Sequence, residues 1–155
     1  MPVGLLSSRT DEGEALKKMQ SEKTRISGHK DSVVLIYSSD QDFLDYYRAM
    51  FVSLGLTPIA ATTSESALGL LRLTVVAFVV VDQDDGPQEC GQVIRHAREA
   101  EYQSTVVVVS RRNHRNPHHE AARFGTAERV DHPAPADDML DALLPNRAQA
   151  RRSSF

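Results

Sequence analysis

Between Ser32 and Leu144 the chain alternates short apolar runs with longer segments whose apolar residues recur at helical spacing, and few folds satisfy such an alternation. "SVVLIY" reads as a first strand. In "DQDFLDYYRAMFVSLG" the positions Phe43, Leu44, Tyr47, Met50, Phe51 and Leu54 make one helical face, with Gly55 as a stop. "TPIAAT" is a second strand, and "TSESALGLLRLT" a helix that Thr63 or Ser64 can cap. "VAFVVV" is a third strand and "PQECGQVIRHAREAEY" a helix. "STVVVVS" is a fourth strand, almost all valine. "PHHEAARFG" is a helix with Pro117 in its first turn and Gly125 at its end; "AERVDH" is a fifth strand; "APADDMLDALL" is a last helix opened by Pro135.

Five strands alternating with five helices predict an α/β protein, a doubly wound five-stranded parallel sheet with helices on both faces. The uninterrupted Val106 to Val109 suits a strand buried on both sides. Right-handed crossovers then bring every strand's C-terminal end to one rim, where such sheets hold ligands. That rim collects Ser38, Ser39 and Asp40 after strand one; Asp82, Gln83 and Asp84 after strand three; Ser110 and Arg111 after strand four; and His132 and Pro133 after strand five. The stretch "FVVVDQDDGP" therefore drives a buried strand into a cluster of acids at the functional end of the sheet.

The 155 residues suffice for one domain with a sizeable core, and 41% of them are apolar. We expect residues 1–31 to be a flexible arm, with a short helix over "DEGEALKKMQSEK", residues 32–145 to be the domain, and residues 146–155 to be a basic tail. A net charge of −3 argues against wholesale nucleic-acid binding. No apolar run approaches the roughly 18 residues of a membrane span, and the apolar patch in "MPVGLLSSRT" is too short for a signal peptide. A lone Cys90 rules out a disulfide framework and fits a cytoplasmic location.

From Asp31 to Pro145 the chain resembles the receiver domains of two-component response regulators, the flavodoxin-like (CheY-like) fold. Asp82 ends strand three, where receivers keep the aspartate that accepts a phosphoryl group. Ser110 ends strand four, where they keep a Ser or Thr that senses it. "HPAPADDML" is similar to their Lys-Pro and final helix, with Pro133 at the position of a cis proline, and the interval from Ser110 to His132 is the one receivers use. The resemblance implies strand order 2-1-3-4-5. It also implies a stand-alone signalling module, not an enzyme, that acts through a protein partner: a sensor histidine kinase or an output protein. That partner would meet the face of the fourth helix, fifth strand and last helix, here Arg115, His119, Arg123, Arg129, Asp137 and Asp141. A homodimer is compatible with it.

The departures from that pattern fall in the site. The acidic pair that holds magnesium in receivers is matched by Ser38 and Ser39, and two hydroxyls bring no charge to offset dehydration of the ion. The site lysine is matched by His132 and the switch aromatic by Arg129; the loop after Asp82 lacks Met-Pro. Phosphoryl transfer to a carboxylate needs its developing charge neutralised. We therefore expect phosphorylation to be impaired or absent and no cofactor, magnesium entering only if Asp40, Asp82 and Asp84 restore a site. Arg111 or His132 is expected to pair with Asp82. The alternative is a working atypical receiver phosphorylated on Asp82.

Other features have plainer readings. His114, His118 and His119 lack ligand partners at a recognisable spacing and read as loop and helix surface. Cys90 reads as packing, the Tyr46–Tyr47 pair as helix surface plus core, and the basic "RRNHR" lacks the interleaved aromatics of a nucleic-acid patch. A rival enzyme class is the haloacid-dehalogenase-like phosphatases, which "FVVVDQDD" resembles through Asp82 as nucleophile and Asp84 as acid. That family carries the motif on its first strand and needs a downstream lysine, and no lysine follows Lys30.

Overall fold

Side chains of a strand point alternately to its two faces, and here both faces are apolar. In a computed structural model, which describes residue 17 and residues 26–99, 104–111 and 128–144, five strands pair in parallel in the order β2-β1-β3-β4-β5. They are β1 (Val33–Tyr37), β2 (Thr57–Ala61), β3 (Phe78–Asp82), β4 (Thr105–Arg111) and β5 (Glu128–His132). The helices are α1 (Gln41–Ser53), α2 (Ser64–Leu73), α3 (Pro87–Glu99) and α4 (Ala136–Leu143), with single 3-10 turns at Ser27–His29 and Gln83–Asp85. The doubly wound sheet and its strand order are as the sequence implied. The fourth helix expected over 117–125 and the basic tail lie outside the described residues; of the helix expected over 11–23 only residue 17 is described, and it is helical.

The strand alternation divides the core in two. Val34, Ile36, Phe78, Val80, Val107 and Val109 pack with Phe43, Leu44, Tyr47 and Phe51 of α1 and with Met139, Leu140 and Leu143 of α4. The intervening Leu35, Tyr37, Val79, Val81, Val106 and Val108 pack with Ala67 and Leu71 of α2 and with Cys90, Val93, Ile94 and Ala97 of α3. Each fully buried side chain of Leu or Phe size contributes about 1.5–3 kcal/mol. Reversing this alternation by a one-residue slip would exchange the two cores, so the register is firmly set.

Local signals set the ends of the helices. The Asp40 carboxylate accepts the Asp42 N–H at 3.0 Å and caps α1, and Thr63 caps α2 through the Ser66 N–H at 3.1 Å. Beyond α1 the chain turns at Gly55, whose φ of 85° lies in the left-handed region that glycine enters without a Cβ penalty.

The core also takes in a residue from the segment expected as an arm, since Ile26 is 1% exposed and packs in the α1–α4 core. His29, in the same segment, sets its ring edge-on to Phe78 at 5.3 Å, and its carbonyl accepts the Ser32 N–H at 2.9 Å. A single branched apolar residue in a polar segment has no periodicity to announce it, yet its burial is worth about 1.5–3 kcal/mol.

Candidate functional site

Among the described residues the buried polar or charged side chains are Ser38, Asp82 and Ser110, and all three sit at the C-terminal ends of the neighbouring strands β1, β3 and β4. The β1–β3 register pairs Tyr37 with Val81, so the next residues, Ser38 and Asp82, lie side by side. Ser38 Oγ donates to Asp82 Oδ2 at 2.7 Å, in the range of a strong hydroxyl–carboxylate hydrogen bond. The same Oγ accepts the Asp40 N–H at 3.0 Å. Asp82 Oδ1 accepts the Asp84 N–H at 3.0 Å, which folds the short turn that follows β3. The backbone carbonyl of Asp82 accepts the Cys90 thiol at 3.0 Å, from the first turn of α3.

Both oxygens of the Asp82 carboxylate thus receive donors from the chain itself. Ser38, read from sequence as a degenerate acidic-pair position, is a hydrogen-bonding partner of Asp82. Asp40, a candidate ligand, directs its carboxylate to the cap of α1. Asp84 and Ser39 are exposed beside this pair. No group of three or more His, Cys, Asp or Glu side chains among the described residues is disposed to hold a metal ion.

His132 follows the strand alternation. Val130 packs on the α1–α4 core, so His132, two residues on, falls on the same face. Its Nδ1 lies 2.8 Å from Tyr47 Oη. Tyr47 Oη also accepts the Ala134 N–H at 3.3 Å, and Tyr46 Oη donates to the Ala134 carbonyl at 2.9 Å. Rings of Phe43, Tyr46 and Tyr47 surround the imidazole at centroid distances of 5.4, 5.7 and 5.5 Å. Two tyrosines read as helix surface and core therefore clasp the segment around Pro133, whose bond to His132 is cis. Of the residues expected to pair with Asp82, His132 bonds Tyr47, while Asp82 bonds Ser38; the Arg111 side chain lies outside the described residues.

Among the described residues, Arg129 brings a guanidinium to the rim. It stands on the face opposite Val130, as Ser110 does relative to Val109. Its Nη2 donates to Gln83 Oε1 at 3.1 Å and to Ser110 Oγ at 3.3 Å, spanning from β5 across β4 to the turn after β3. Sequence reasoning matched Arg129 to the switch aromatic and also placed it on a partner-binding face, but did not foresee this contact. The other members of that face divide: Asp137 and Asp141 are half-buried on α4, while Arg115, His119 and Arg123 lie outside the described residues. Asp82 ends the third strand of the chain, at the centre of the sheet, and Asp84 lies in the turn that follows it.

The sequence matches no protein-family model and no curated protein. The fold, however, has solved counterparts. A response regulator receiver protein from Sinorhizobium medicae is similar at a TM-score of 0.61 and 18% identity, over 74% of this chain and 92% of that one. A chemotaxis protein from Vibrio cholerae gives a TM-score of 0.63 at 12% identity, over 74% and 97%. The response regulator receiver domain protein of Clostridium thermocellum gives 0.62 at 16% identity, over 79% and 97%. The chain has the fold of response regulator receiver domains. No helix among the described residues is long and apolar enough to cross a membrane.

Proposed function

We propose that this chain is a receiver-like module of two-component phosphorelay signalling that works by binding a protein partner, with phosphorylation of Asp82 impaired or absent. The observation that carries this reading is the buried hydrogen bond from Ser38 Oγ to Asp82 Oδ2 at 2.7 Å. Ser38 occupies a position where active receivers bring a carboxylate to magnesium. Here a neutral hydroxyl sits there and is already committed to the acceptor aspartate and to the Asp40 N–H.

The donor set does not fit magnesium. The ion demands near-octahedral oxygen geometry and draws on carboxylates to repay its dehydration. Ser38 and Ser39 contribute no charge, and Asp40 is engaged in capping α1. His132, matched to the lysine that receivers direct at the acceptor, bonds Tyr47 Oη through Nδ1. Without metal or lysine, charge developing on a transferring phosphoryl group lacks its usual compensation. The module has no turnover of its own in this reading. It presents a preformed surface built on β5 and α4 to a kinase or an output protein in the cytoplasm.

The test is chemical. The protein is incubated with acetyl phosphate and magnesium beside an active receiver, and both are weighed by intact mass spectrometry. The active receiver gains one phosphoryl group and this chain does not. A phosphoryl mass gain that disappears in Asp82→Asn establishes the working-receiver alternative in its place.

A further inference from the structure

We propose that Arg129 is a fixed strap that ties β5 to the turn after β3 and holds Ser110 between them, so that the β4–β5 side of the rim keeps one conformation whatever occupies Asp82. The inference deepens the reading above by naming what prevents the rim from switching.

Three observations join in it. Gln83 adjoins Asp82 and opens the Gln83–Asp85 turn. Ser110 is 1% exposed near the end of β4, so its hydroxyl has to find partners within the protein. Arg129 reaches both with one nitrogen, Nη2, at 3.1 and 3.3 Å. Arginine suits this task because its planar, permanently charged fork is preorganised, and hydrogen bonds from an ionised donor are about twice as strong as neutral ones. A side chain that leaves and re-enters a rim must be able to trade this environment for water at little cost. A guanidinium holding a buried hydroxyl and a side-chain carbonyl cannot do so freely, since each release leaves the Ser110 oxygen short of a donor.

The strap is tested by amide hydrogen exchange of the intact chain, read at single residues by NMR. The reporter is the Asp84 N–H, which depends on the turn that Gln83 opens. The controls are amides of Val80 and Val107, which sit in central strands and exchange only with global opening. Arg129→Ala is expected to speed exchange at Asp84 about tenfold or more, beyond any change at the controls, as fits loss of a hydrogen bond to a charged donor. Gln83→Ala, at a half-buried position, is expected to reproduce that local loosening with less effect on the global fold. The double variant should be no faster at Asp84 than the faster single one, because both substitutions cut the same link. Arg129→Lys keeps the charge but not the fork and should restore protection only in part.

The proposal is overturned if Asp84 in Arg129→Ala changes only as much as Val80 and Val107 do, or if the two single effects add. These readouts involve no phosphate and no partner. A wild-type chain that acetyl phosphate modifies would refute the proposed function and leave the exchange result to judge the strap by itself.

Discussion

Ser38 Oγ donates to Asp82 Oδ2 at 2.7 Å across two adjacent strands, although the residues are 44 apart in sequence. Both side chains are buried, at 0% and 2% exposure, so neither can exchange this bond for one to bulk water. The pair marks the site as a closed polar contact, whereas an active receiver gathers carboxylates at the same place and holds them open for a cation.

The sign of a stability change follows from that difference. Where an acceptor aspartate lies among other carboxylates, removing it relieves repulsion and stabilises the empty site. Here Asp82→Ala removes the acceptor of two hydrogen bonds and should destabilise the fold by about 1–3 kcal/mol. Asp82→Asn should also destabilise, because its amide offers one acceptor oxygen where two donors need one, whichever way it is turned. Ser38→Ala should cost a similar amount alone and much less in the Asp82→Ala background. Urea melts of the four proteins measure this cycle. Stabilisation by Asp82→Ala contradicts the closed-pair reading.

How far was this arrangement legible beforehand? The strands were, since continuous apolar runs such as Val106 to Val109 leave little else open. So was the position of Asp82, because strand ends follow from the runs. The Ser38–Asp82 contact was within reach too. Once β1 and β3 are neighbours, aligning "SVVLIY" with "VAFVVV" sets residue 38 beside residue 82. What no local pattern carries is the choice of partner among long side chains. Arg129 meets a residue 46 positions away and His132 one 85 away. Strand parity separates them, Arg129 to one face and His132 to the other, but parity can be used only after the true boundaries of β5 are known. Ile26 was missed because one apolar residue makes no period.

The tyrosine clasp supplies a second measurement. Tyr47 Oη accepts the N–H of buried Ala134 and bonds His132 Nδ1. Tyr47→Phe keeps the ring packing against Phe43 and removes only the hydroxyl. We expect a loss of about 1–3 kcal/mol from the groups left without that partner. Exchange of the Ala134 amide should rise more than that of the core strands. If Tyr47→Phe is as stable as wild type, the hydroxyl contributes nothing net and water replaces it.

Cys90 should behave as an interior thiol. It is 0% exposed and donates to the Asp82 carbonyl at 3.0 Å. A thiol reagent in excess should label it only as fast as the protein opens, and denaturant should accelerate labelling steeply. Fast labelling of the native protein would show that the start of α3 opens locally and that the turn under Asp82 is not held from that side.

The last prediction concerns magnesium and tests whether the two serines keep the site from binding it. Binding weaker than about 1 mM corresponds to less than about 4 kcal/mol, so millimolar magnesium should leave the melting temperature of the wild-type protein unchanged. Replacing both hydroxyls, in Ser38→Asp/Ser39→Asp, restores two carboxylates beside Asp82. Without metal the variant should be less stable than wild type, since like charges then share a site of low dielectric and Asp82 loses its donor. Magnesium should recover part of that loss, in proportion to the logarithm of its concentration above the dissociation constant. Because position 38 is fully buried and an aspartate there needs extra room, Ser39→Asp, at an exposed position, serves as the milder variant and should gain a smaller response of the same sign. Thermal melts from zero to 20 times the expected constant of about 1 mM decide the matter. Tight binding by wild type refutes the degenerate site. A folded double variant that ignores magnesium shows instead that the block lies elsewhere on the rim, where the Arg129 guanidinium reaches Ser110.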